Sequence, residues 1–542
     1  MAGIVAAFCV VSVLAGERIG INGGQGWDGM AYTAWAEDFW QRVIVEHLTR
    51  YHSQRVLPSA IVHYGLRITG RPSDAAHAIA GFQVLNSAML VIAAGLWAHL
   101  GAAMSWRRPA RWVGFIALFA SFANARHALY YPTLADPMAF ALGMVLAWGY
   151  LTDRPWAIWL AGALGTLTWP ALPPIAIALL ILPRSRASVS SSHGLERHRL
   201  HEPVAPHEPA PPREPVAPRE PTAPHEPVAP REPVAPHEAK RAPVIAAVLA
   251  AAGTAAFLVV AWHYLRHPVP GVGDEKFAQW VRRDLLILTV PGLVAMLGIG
   301  AYLLLRDPRL FQLRSYLGPL PRRRWIWIAA AIAALIALRI AWVGAIGTRG
   351  EGPTGAQFLC EHTLAALRGP VWGPVHHVVY FGPIIAVAAL FWHRLARTAN
   401  DFGPGAVLVL GVTLAFAAGS QSRQWIHLVP FLVAVTIAAT EPVWTPRRAL
   451  CFAALALAWS KLWLTIGYDR HATWWQFPEQ RYFMHQGPWA SDAMYLVHLV
   501  AALVSALVLG WILVGRSPQC RSSPELEPDA DASPGPRDVP PG

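Results

Sequence analysis

Apolar stretches long enough to cross a bilayer recur along the whole chain, divided by short loops that carry Arg and Lys. A span needs about 20 apolar residues, and a soluble core does not require such stretches in series. Only 14% of the 542 residues are charged and 54% are hydrophobic. Soluble domains carry roughly 25% charged residues. The chain therefore reads as an all-α polytopic membrane protein with no room for a large soluble domain. Its net charge of +12 does not imply nucleic acid as a partner. The cations sit in short loops, where they orient a protein in the bilayer. Cys9, Cys360, Cys451 and Cys520 are scattered, with Cys360 expected in a loop. They show neither metal-ligand spacing nor a disulfide framework. The N-terminus has an apolar run without a basic region before it, so it reads as the first span and not as a cleaved signal peptide.

The expected spans are 2–15, 75–104, 112–129, 132–153, two short ones within 156–183, then 244–265, 285–305, 325–346, 375–392, 405–418, 425–440, 450–466 and 493–514. That makes about 14 crossings. Arg107 and Arg108, Arg184 and Arg186, Arg322–Arg324, Arg394 and Arg397, and Arg447–Arg448 then share one side. Positive loops mark the cytoplasm, so both termini are expected there. Four parts follow: a membrane module at 1–183 with a first outer loop at 16–74, a linker at 184–243, a second membrane module at 244–515, and a tail at 516–542. The linker contains six Pro-rich hexapeptides between Glu202 and His237. Proline at that density predicts an extended, solvated tether and no catalytic role. The Pro-, Asp- and Ser-rich tail is expected to be disordered.

This orientation gathers polar groups on the outer side. The first outer loop holds Gly26-Trp27-Asp28-Gly29-Met30-Ala31-Tyr32. A carboxylate at a membrane boundary is costly and is a functional candidate; a polar turn is the plainer explanation. Thr33 to Leu48 reads as an amphipathic helix in the membrane interface. Tyr51-His52-Ser53-Gln54-Arg55-Val56-Leu57-Pro58 follows, and Pro58 is expected to open a short helix through Leu66. Asp136 precedes Pro137 at the outer start of a span, where it would also suit a helix cap. Further along come Gly419-Ser420-Gln421-Ser422-Arg423-Gln424-Trp425-Ile426-His427 and a late loop with Asp469, Arg470, His471, Trp474, Trp475, Glu479, Arg481, Tyr482 and His485. Arg423 would also suit snorkelling, and His427 would suit plain packing.

Together these features resemble the GT-C superfamily of integral membrane glycosyltransferases, including bacterial mannosyltransferase-like members. The resemblance lies in Asp28-Gly29-Met30-Ala31-Tyr32, similar to the Asp-Gly-x-x-Tyr of bacterial members, in Arg55-Val56-Leu57-Pro58, and in Tyr131-Pro132-Thr133-Leu134-Ala135-Asp136-Pro137. Arg423 with Pro430 matches an outer cation near a Pro-containing late span. The match covers roughly the first 180 residues best. It departs where many members pair two acids in the first loop: here Gly29 follows Asp28, and Glu37-Asp38 comes later.

The resemblance implies transfer of a sugar from a polyprenyl-phosphate donor to a lipid or glycan acceptor at the outer face of a bacterial cytoplasmic membrane. It makes Asp28 the general base and gives Arg55, Asp136, Arg423, His427 and Tyr32 to substrate binding. It admits a divalent metal, Mg or Mn, shared by Asp28 and Asp136. A transporter or flippase for a lipid-linked sugar, an O-antigen ligase or polymerase, and a non-catalytic scaffold are the alternatives. Charged residues lining a path through the spans would favour transport. Tolerance of Asn at Asp28 and Asp136 would favour a scaffold.

Overall fold

The computed structural model describes residues 1–182, 184–185, 236–269, 278–311, 322–347, 354–464, 490 and 492–514. The Pro-rich repeat up to residue 235, the tail and the late loop from Asp469 to His485 lie outside the described residues, and the end of the expected linker is already helical, in Pro236–Arg266. Every regular element among the described residues is helical. Among the described residues, five helices are long and apolar enough to cross a membrane: Ala75–Ala103, Arg241–Arg266, Arg283–Leu305, Arg322–Ile346 and Met494–Val514. Their outer surfaces are apolar. Val248, Val259, Ile340, Leu503, Leu507 and Trp511 are all exposed. Such surfaces suit hydrocarbon, where apolar side chains need no burial in protein. This is a multi-pass helical membrane protein.

Several expected spans are short or broken. Ala2–Ala15 has 14 residues, a length of roughly 21 Å. The stretch expected as one span at 112–129 is the helix Arg108–Phe119, a break at Ala120–Ser121 and a π-helical turn at Phe122–His127. The stretch 375–392 is divided at Gly382-Pro383 into Trp372–Phe381 and Ile384–Leu390. Proline there removes a helical donor and obstructs the preceding turn. Within 156–183 the chain makes two short helices, Pro155–Gly165 and Leu172–Ile181. They pack on each other with Gly162 against Ala176 and Gly165 against Leu172. Cys360 is buried on the helix Gly355–Leu367, not in a loop. Thr354 and Gln357 form the capping box that starts that helix.

The first outer loop also departs from expectation. Thr33 to Leu48 is not one helix. Gly29–Glu37 is α-helical, Asp38 leaves helical geometry at φ −138° and ψ 81°, and Trp40–Val45 is π-helical. The Asp38 carboxylate accepts from the Gln41 amide at 3.2 Å, capping the second piece. That local bond competes with a continuous helix. Pro58 does sit in the first turn of a helix, Leu57–Ile68. The Ser59 hydroxyl donates to the Tyr32 carbonyl at 3.0 Å, and His63 bonds the Ala36 carbonyl at 2.9 Å. These two bonds clamp Leu57–Ile68 against Gly29–Glu37.

Candidate active site

The site begins with one amide. Asn86 lies inside the long helix Ala75–Ala103, where it is buried. Its amide donates to the Ala128 carbonyl at 2.9 Å and the Pro132 carbonyl at 2.7 Å. A buried amide needs such partners, and they hold the link between the third and fourth apolar stretches. That link carries Tyr131 and Thr133.

The first loop packs directly on it. The Gly29 amide donates to the Tyr131 hydroxyl at 3.1 Å. Thr133 Oγ1 donates to the Gln25 carbonyl at 3.0 Å. Gly26 has φ +72°, and a Cβ there would meet the Tyr131 ring at 2.3 Å. A Cβ on Gly29 would meet Thr133 Oγ1 at 2.0 Å. Both glycines are therefore demanded by close approach, and Gly26 also by its left-handed backbone. Between them and the helix start sits Asp28. It is exposed, and its carboxylate makes no hydrogen bond or ion pair with the described residues. Its charge is felt by Tyr32, His52, Tyr131 and Arg423.

Asp136 is the first residue of the helix Asp136–Leu151. Its side chain does not cap that helix. Its two oxygens take a bidentate pair from Arg423: Nε donates at 2.7 Å and Nη2 at 2.9 Å. The carboxylate is 3% exposed and the guanidinium 13%. Burial works against the Arg423 charge, and the Asp136 carboxylate overrides it, keeping the guanidinium well above its ordinary pKa. The fork geometry is one that Lys cannot supply. Nη1 of Arg423 makes no hydrogen bond among the described residues and remains a donor for a ligand.

Arg55 extends the cationic side. Its guanidinium lies over the Tyr51 ring at 4.3 Å and the Trp169 ring at 4.6 Å. Such stacking holds the cation without neutralising it. The Leu57 amide donates to the Leu167 carbonyl at 3.0 Å, tying the Arg-Val-Leu-Pro element to the break that carries Trp169. Trp169 Nε1 donates to the Gln424 carbonyl at 3.4 Å, next to Arg423. Tyr32 is buried and interacts with Arg55. Burial, then the Arg55 charge, lowers the His52 pKa, so that ring is neutral at pH 7. His427 is buried 6.2 Å from Trp169, with neither ring nitrogen bonded among the described residues.

Asp28, Asp136, Arg423, Arg55 and Tyr32 thus share one neighbourhood. Glu37 and Asp38 do not join it through any bond among the described residues. His362 bonds the Ala415 carbonyl at 3.0 Å and serves packing. Several contributors carried no assignment in the sequence. Tyr131 and Thr133 stand inside the quoted Tyr-Pro-Thr segment, which is a usable signal. Tyr380, bonded to His127 Nδ1 at 3.0 Å, and the His377–Ser422 bond of 2.8 Å join residues too distant in sequence to be paired by pattern.

Asp28 and Asp136 are the residues that would hold a shared Mg or Mn. Each Asp136 oxygen accepts one hydrogen bond from Arg423 and keeps a second lone pair. No group of three or more His, Cys, Asp or Glu side chains gathers among the described residues. No protein-family model, curated protein or solved structure matches this chain.

Proposed function

We propose that this protein is a membrane glycosyltransferase of the GT-C type. It moves a sugar from a polyprenyl-phosphate donor to an acceptor hydroxyl at the outer face of a bacterial cytoplasmic membrane. In this reading the chain crosses about 14 times, with both ends in the cytoplasm. The observation that carries the proposal is the convergence of an uncommitted carboxylate, Asp28, with the Arg423 guanidinium that Asp136 holds in place.

Asp28 takes the proton of the acceptor hydroxyl. The freed oxygen forms a bond to the anomeric carbon of the sugar. The bond from that carbon to the phosphate oxygen breaks, and its electron pair leaves with polyprenyl phosphate. One displacement inverts the anomeric centre. Arg423, through Nη1, and Arg55 meet the charge that develops on the leaving phosphate. Asp136 positions Arg423, and Tyr32 positions Arg55. The test is transfer of radiolabelled hexose or pentose from polyprenyl phosphate to a lipid or glycan acceptor, in membranes with and without the protein. Label in the acceptor that depends on the protein supports the reading. A panel of donors that all remain intact contradicts it.

A further inference from the structure

The long apolar helix Arg322–Ile346 carries one cation within its apolar run, Arg339. It stands seven residues before the end of the helix, roughly 10 Å back along the axis. A charge at that depth is rare, and by default it marks a site.

One stripe of this helix faces protein. Leu335, Arg339, Trp342 and Ile346 recur at helical spacing. A Cβ on Gly162 would meet Leu335 at 3.4 Å. Trp342 Nε1 donates to the Ser53 carbonyl at 2.7 Å, and the His47 ring bonds the Ile346 carbonyl. Arg339 is thus placed between the helix Pro155–Gly165 and the first outer loop. Its Nη1 is buried without a hydrogen bond, and no carboxylate pairs with the side chain, among the described residues. A snorkelling arginine delivers its head to water; here Nη1 is out of water. The one charge acting on it among the described residues is a second cation, Arg50.

Arg50 is exposed, and its backbone is fixed in the loop. Its carbonyl accepts from Ser53 Oγ at 2.9 Å and from Gln54 Nε2 at 3.0 Å. Two partly desolvated cations held together repel unless an anion joins them. The guanidinium fork matches phosphate. Ile336 and Ile340, beside Arg339 on the helix, are exposed. They give hydrocarbon a surface to lie on, so the anion that fits is one that carries acyl chains.

We propose that Arg339 and Arg50 bind the phosphate of an anionic membrane lipid, whose chains lie along Ile336 and Ile340. The site does not depend on the roles given to Asp28 and Arg423. Tyr51, next to Arg50, carries the Arg55 guanidinium on its ring, so a bound lipid braces the loop that presents Arg55.

The full chain in phosphatidylcholine nanodiscs is offered a diazirine-bearing phosphatidylglycerol or, at the same mole fraction, a diazirine-bearing phosphatidylcholine, and the label is mapped by mass spectrometry. The anionic probe should mark Ile336 or Ile340 in excess over the zwitterionic one. Arg339→Gln and Arg50→Gln should each bring that labelling down to the phosphatidylcholine level. Arg67→Gln, which removes an exposed cation elsewhere, should leave it unchanged, as should a molar excess of inorganic phosphate. Because Arg50 is exposed, its variant keeps the fold: adding phosphatidylglycerol should raise the Tm of wild type and not that of Arg50→Gln. Equal marking by the two probes, or full labelling of both variants, overturns the inference. So does an equal loss in Arg67→Gln, which would mark general attraction to a basic protein. Displacement by inorganic phosphate overturns the lipid as the source of the anion.

Discussion

Asp136 and Arg423 lie 287 residues apart in sequence and meet through two hydrogen bonds. Each was visible alone: an acid before a proline, and a cation in a tight polar link. Their pairing was not, because no local pattern encodes a contact across that distance. The pair excludes the helix-cap role that Asp136-Pro137 also suggested. Removing one partner of a buried pair leaves the other charge uncompensated, at about 3–5 kcal/mol. Asp136→Asn should therefore lower thermal stability in detergent markedly. Asp136→Leu with Arg423→Met should recover most of that stability and none of the transfer. Unchanged stability in Asp136→Asn would show that the ion pair does not hold the site.

At the scale of elements, the first loop shows what periodicity misses. Trp35, Phe39 and Val43 recur at helical spacing and are all buried, so the apolar face was legible. The break at Asp38 was not, since it depends on one side-chain bond to Gln41. The glycines of Gly26-Trp27-Asp28-Gly29 read from sequence as turn residues; the structure adds that they admit the Tyr131 ring and Thr133. Overpacking of this kind costs about 1–3 kcal/mol. Gly29→Ala should push the loop off the Tyr131–Thr133 link and cut transfer. Gly95→Ala, where a Cβ meets nothing within 4 Å, should behave as wild type. The check is transfer activity beside the amount of folded protein for each variant. Full activity in Gly29→Ala would detach the loop from the site.

For the whole molecule, the all-helical membrane character was plain from the apolar runs. The lengths were less so: among the described residues, five helices suffice to cross by themselves, and the other apolar helices are short or broken where Pro, Gly or a polar link interrupts them. Such interruptions are tolerated where the chain is buried in protein, and the link at Tyr131–Ala135 is buried. The proposed orientation puts Asn22 outside and Arg447 inside, both exposed. With native cysteines replaced by Ser, Asn22→Cys should react with an impermeant maleimide on intact cells, and Arg447→Cys only after permeabilisation. The reverse pattern would move the site to the cytoplasmic face. The central claim is that Asp28 removes the acceptor proton beside a fixed cation. Its most direct test is sugar transfer by wild type and Asp28→Asn at equal amounts of folded protein. Asp28 makes no structural bond among the described residues, so the variant should keep its thermal stability. Its transfer rate should fall by roughly 10²–10⁴-fold. Transfer at the wild-type rate would contradict the account.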